Sequence, residues 1–185
     1  MSVVLAVATQ ERIIVKSDGR ERDADTRQII SEDLHKFAKV SLNCIVGYTG
    51  TKYVGQQITD EIIRVIPENA KIEPDSVAKL IQRICQNNLK ECYGCAFVVA
   101  GISYQLQKPI LYGVSYTDNF LNINNSFYQN NIPGSIFIGS EWINKTEFIM
   151  NNERSLESNM NDYIKLIAAN DDCVNDHIST IKLRM

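Results

Sequence analysis

The sequence predicts an α+β layered sandwich. Three observations carry this expectation. Short β-branched runs bunch at the start of the chain and again near its middle; two helical stripes stand one after the other between them; a third helical stripe and a last alternating run follow. Strands in runs and helices in runs fit stacked antiparallel sheets better than a parallel βαβ fold, where the two alternate. The 185 residues, 44% hydrophobic and 22% charged, suffice for one domain over 1–185 with a sizeable core.

Val3–Ala8 is short, apolar and rich in valine, the pattern of a strand. Gln10-Glu11-Arg12 is a polar turn, and Ile13–Lys16 a second strand that completes a hairpin. Ser17–Asp33 is a polar excursion with little regular structure expected at its centre. Lys36–Leu42 and Cys44–Thr49 read as strands on either side of the turn-tolerant Asn43. Val54, Ile58, Ile62 and Val65 recur at helical spacing up to Pro67. Pro74 starts a second helix, with Val77, Leu80, Ile81 and Ile84 on its apolar face, running to about Lys90. Cys95–Ile102 and Ile110–Tyr116 are strands joined near Gln107-Lys108-Pro109, and Asp118–Asn131 is loop with a short strand. Ser135–Ile138 is a strand ending at Gly139. From Glu141 the pattern turns helical, clearest at Leu156, Met160, Tyr163, Ile164 and Ile167, until Asn170-Asp171-Asp172 breaks it; His177–Leu183 alternates as a final strand.

Composition excludes several function classes. The formal net charge of -3, with no basic cluster, speaks against a nucleic-acid binder. The opening apolar run lacks the charged flank and the length of a signal peptide, and no stretch reaches the ~18 apolar residues that span a membrane. The expected compartment is the cytoplasm, where five cysteines, an odd number, stand as free thiols.

Familiar motifs fail on inspection. Gly47-Tyr48-Thr49-Gly50-Thr51-Lys52 lacks the spacing and the Gly-Lys-Ser/Thr triplet of a phosphate loop. Cys92-Tyr93-Gly94-Cys95 has neither the second pair or histidines of a zinc site nor a thioredoxin-like context, and reads as ordinary thiols. The two histidines, His35 and His177, come with no nucleophile elbow for a Ser-His-Asp triad. No metal and no cofactor are expected.

One constellation holds. Ser2 becomes the first residue once Met1 is removed, and it leads straight into a strand. Asp18 ends the second strand, Lys36 opens the third, and Gly50 ends the fourth. A hairpin of the first two strands returns Asp18 to the N-terminus, and a neighbouring third strand starts Lys36 from the same edge.

From Ser2 to about Ile63 the chain resembles the N-terminal-nucleophile hydrolases of the proteasome β-subunit type. The resemblance rests on the chain-start nucleophile, the Asp-x-Arg of Asp18 and Arg20, the strand-opening Lys36 and the small turn Thr49-Gly50. Further on, Gly139-Ser140 resembles the family's Gly-Ser, and Asp172 with Asn175 and Asp176 stands near its Asp-x-x-Ser-Gly turn, with Asp171 leaving a one-residue ambiguity. The resemblance implies a four-layer αββα sandwich. It also implies roles: Ser2 as nucleophile and, through its α-amine, as base; Lys36 stabilising the alkoxide; Asp18 orienting Lys36; the Gly50 N–H as oxyanion donor; Ser140 and Asp172 fixing the N-terminus. Serine stands where the family has threonine, and Asn175 where it has serine. The implied activity is cleavage of peptide or amide bonds; an inactive structural or binding subunit and a small-molecule amidase or acylase of the same fold are the other readings. The absence of a helical extension before the first strand favours the β-type. A peptide or protein substrate, assembly into a homo-oligomer such as a ring, and a separate ATPase wherever substrates need unfolding are the partners implied, with neither nucleic acid nor membrane.

Overall fold

The computed structural model describes residues 2–23, 26–67, 69–140 and 155–185. In chain order the elements are β1 (Val3–Ala8), β2 (Arg12–Asp18), β3 (Glu21–Arg22), β4 (Ile29–Ser31), β5 (Phe37–Ser41), β6 (Cys44–Thr49), α1 (Lys52–Val65), α2 (Pro74–Asn87), β7 (Ala96–Ser103), β8 (Lys108–Ser115), β9 (Ile123–Phe127), β10 (Gly134–Gly139), α3 (Leu156–Asn170) and β11 (Ile178–Arg184). One sheet runs β10-β1-β2-β11 and the other β5-β6-β7-β8-β9. Every pairing within them is antiparallel.

Strand periodicity makes the layers. On β1, Val4, Ala6 and Ala8 join a core with Ile45, Val98, Ala100 and Leu111 of the facing sheet. The alternate residues Val3, Leu5 and Val7 pack on Met160, Tyr163, Ile164 and Ile167 of α3. A strand covered on both faces needs apolar residues at every position, which is why β1 reads as an unbroken apolar run. On the outer side of the second sheet, Val46, Tyr48 and Val99 pack with Ile58 and Ile62 of α1 and Val77 and Ile81 of α2. The result is the αββα sandwich, three cores between four layers. Each Ile or Leu buried there contributes about 1.5–3 kcal/mol.

Three elements differ from expectation. The excursion after β2 carries a small antiparallel hairpin, β3 with β4. The turn between β7 and β8 falls before Lys108, and Pro109 lies inside β8 opposite Ile102. Pro109 is tolerated because the N–H of its partner Ile102 turns away to the Asn43 carbonyl, which makes theirs a non-hydrogen-bonded pair, and pairing with β9 starts only at Ile110, so no ladder bond needs its missing N–H. Helix α2 ends at Asn87, short of Lys90. The helical pattern expected from Glu141 lies, up to residue 154, outside the described residues, as does Met1.

The topology frames the start of β1. It is an inner strand, with Gly139 of β10 opposite Val3 on one side and Ser17 of β2 opposite Val4 on the other. Gly139 has φ +101°, and a Cβ there would sit 1.8 Å from the Ser2 carbonyl oxygen. Gly139→Ala is therefore expected to cost about 2–4 kcal/mol, read as a lower urea midpoint at unchanged slope.

Candidate active site

The site is built on one buried ion pair. Lys36 Nζ donates to Asp18 Oδ2 at 2.7 Å, with 3% and 0% of the two side chains exposed. Asp18 Oδ1 accepts from the Val3 N–H at 2.9 Å, and Oδ2 also accepts from the Arg20 N–H at 3.1 Å. The end of β2 thus holds both the start of β1 and the lysine that leads into β5. Burial lowers the Lys36 pKa, and the Asp18 carboxylate works against that by favouring the ammonium.

Ser2 is buried between these strands, and its carbonyl accepts from the Ser140 N–H at 2.9 Å. Ser140 Oγ donates to Asp171 Oδ2 at 2.5 Å, and Asp171 Oδ1 accepts from the Cys173 N–H at 2.8 Å. Burial favours the neutral acid, but these hydrogen bonds outweigh it and hold the Asp171 carboxyl below its ordinary range. Here the sequence expectation needs correcting: the partner of Ser140 is Asp171, not Asp172. Asp172 is 80% exposed and its carboxylate meets Arg22 at 3.2 Å. Helical spacing explains the choice. Met160, Ile164, Ile167 and Asp171 follow at intervals of four, three and four, one buried stripe, and Asp172 falls off it.

A groove of about 810 Å³ opens over Ser2, Lys36, Thr49 and Gly50. Gly50 has φ +97°, and a Cβ there would lie 2.7 Å from the Gly94 carbonyl oxygen and 2.8 Å from Cys95 Cα. Only glycine fits that turn. The Cys92–Cys95 stretch is accordingly the wall behind Gly50. Burial pushes the thiols of Cys85, Cys92 and Cys95 up, so they remain protonated packing groups.

Ser2, Lys36 and Gly50 therefore share one groove, with Asp18 and Ser140 bonded directly behind it, while Asp172 stands outside. Asn175 accepts from the Gly19 N–H at 2.8 Å and donates to the Glu32 carbonyl at 2.9 Å, tying the loop after α3 to the end of β2. Asp176 is exposed. Sequence reasoning missed Glu32, which accepts from Arg20 at 3.1 Å, and the groove residues Glu21, Tyr48, Lys52 and Cys173. Lys52 had a signal: it follows Gly50 by two positions, at the first turn of a helix.

Two outcomes follow from this geometry. Asp18→Ala strands the Lys36 ammonium in the interior and should cost about 3–5 kcal/mol in urea unfolding, whereas Asp18→Leu combined with Lys36→Met should recover much of it. Asp171 has a folded pKa below its unfolded one, so its stabilisation is present above the ordinary carboxylate range and is lost as pH falls through the folded value. Ser140→Ala should therefore lower the melting temperature at neutral pH and flatten its fall between about pH 5 and pH 2.

Comparison with known proteins agrees with this architecture. The solved structure of eukaryotic HslV from Trypanosoma brucei superposes with a TM-score of 0.65 over 99% of this chain and 99% of that one, at 11% identity, which is a likeness of fold. No curated protein matches the chain. The family model described as proteasome subunit matches residues 2–125 of the 185, and the chain belongs to that family.

Proposed function

We propose that this chain is an N-terminal serine hydrolase that cleaves peptide or amide bonds once the amine of Ser2 is freed. The observation that carries the reading is the buried Asp18–Lys36 pair set beside Ser2, with Gly50 in the same groove. Ser2 Oγ attacks the substrate carbonyl, and its proton passes through a water to the α-amine of the same residue. An α-amine has a reference pKa near 7.7–8.0, so a useful fraction is neutral at working pH. The charge of Lys36 stabilises the developing alkoxide and disfavours protonation of the neighbouring amine. The Gly50 N–H donates to the oxyanion, an interaction worth about 3–4 kcal/mol in comparable sites. Collapse of the tetrahedral intermediate expels the leaving amine, which takes the proton back from the α-ammonium. Water then hydrolyses the Ser2 ester by the same steps. Ser140 and Asp171 position the residue by holding its carbonyl.

Family membership supports a proteasome-type assembly: copies of this chain in a ring, in the cytoplasm, with any unfolding of substrates left to a separate ATPase. Serine lacks the methyl that restricts the threonine rotamer, so Ser2→Thr should keep turnover. Ser2→Ala should lower hydrolysis of peptidyl-coumarin amides by about 10³-fold or more without moving the melting temperature. Full turnover in Ser2→Ala would overturn the reading, and a free Ser2 amine without turnover would make the chain an inactive assembly subunit.

A further inference from the structure

The groove holds an ion pair that the chemistry above leaves unused. Lys52, two residues past Gly50, opens α1, and Glu21, three residues past Asp18, opens β3. Lys52 Nζ lies 2.9 Å from Glu21 Oε2, and both residues line the groove over Ser2. Tyr48, two residues before Gly50 on β6, lines the same groove at 5% exposure. Burial pushes its phenol up to about 12, and the neighbouring Glu21 and Asp60 carboxylates add to the shift.

Most other charges of the groove are committed elsewhere. Lys36 is bound to Asp18, Arg20 to Glu32 and Arg22 to Asp172. The Asp23 carboxylate accepts from the Thr26 N–H and hydroxyl, and Arg27 is exposed on the β3–β4 hairpin. Lys52 and Glu21 are thus the charges that join the first turn of α1 to the opposite wall, beside Gly50.

We infer that the Glu21–Lys52 pair selects the substrate side chain next to the scissile carbonyl, admitting an uncharged residue and rejecting acidic and basic ones alike. The inference rests on the N-terminal serine reading for where that carbonyl lies. An acidic side chain competes with Glu21 for Lys52 and brings two carboxylates together. A basic one competes with Lys52 for Glu21 and brings two cations together. Like charges set side by side carry a penalty that an uncharged side chain, packing over Tyr48 with the pair intact, does not meet. The two ions are not equivalent. Glu21 keeps 13% of its side chain exposed and Lys52 39%, so Lys52 is the member free to withdraw toward solvent.

The test uses full-length protein and tripeptides that differ only in the last residue: leucine, aspartate or lysine. Binding of the labelled peptides to the Ser2→Ala protein is read by fluorescence anisotropy, and hydrolysis of the matching coumarin amides by protein with Ser2 intact. Leucine should lead both charged residues by about tenfold. Glu21→Gln should shift the aspartate-to-leucine ratio upward, and Lys52→Gln the lysine-to-leucine ratio, each by about tenfold. The exchange Glu21→Lys with Lys52→Glu should restore the preference for leucine, which separates loss of the pair from local damage. Ratios that ignore both variants, or that move the same way in both, would overturn the inference. Charge-ordered binding with no hydrolysis would keep it and remove the N-terminal serine reading. Hydrolysis indifferent to both variants would do the reverse, and neither binding nor hydrolysis would remove both.

Discussion

A charged lysine with almost none of its side chain in water is the constraint around which this molecule is arranged. Lys36 can be buried only because Asp18 meets it at 2.7 Å, and a buried carboxylate in turn needs its other lone pairs filled. The Val3 and Arg20 backbone N–H groups fill them. Four chain segments are tied by one carboxylate: the start of β1, the end of β2, the approach to the β3–β4 hairpin and the approach to β5. Breaking the pair from either side leaves a charge that the interior cannot solvate, so the geometry at the head of β1 is held as one unit.

The sandwich places that unit where a nucleophile would be of use. β1 is an inner strand with a sheet on one face and α3 on the other, so its apolar residues are fixed by packing. Ser2, just before it, is held from the β10 side through the Ser140 N–H, at a point where Gly139 must lack a Cβ for the chains to approach. Opposite, β6 ends at Thr49, and the positive φ of Gly50 just beyond it turns the backbone out beside the Cys92–Cys95 wall. Ser2, Lys36 and Gly50 thus stand at the ends of β1, β5 and β6, and the rest of the groove is walled by the short hairpin and the first turn of α1. Positioning and selectivity fall on different parts of the fold.

Much of this was legible in the residues. β1 and β6 were readable to the residue, because strands buried on both faces leave no polar interruption to blur their ends. The order Ser2, Asp18, Lys36, Gly50 was readable because each stands at the end of an element, where a topology of hairpins brings ends together. The β3–β4 hairpin was not, since two-residue and three-residue strands of polar or exposed residues carry no periodic signal. Pro109 misled because its place in the sheet depends on where the partner strand starts, a long-range fact. Asp171 could have been chosen over Asp172 by carrying the stripe of α3 one step further, while the Glu21–Lys52 contact spans a separation in sequence that no local pattern encodes.

As proposed, Ser2 acts through its hydroxyl and its own free amine together. Intact-mass measurement of the purified protein, before and after treatment with a peptidyl epoxyketone, tests both at once, because that warhead closes a ring only with a neighbouring hydroxyl and amine. The expected result is a starting mass lacking Met1, a single adduct per chain, and fragmentation that maps it to Ser2. A retained Met1, or a free Ser2 that stays unmodified at saturating reagent, would contradict it.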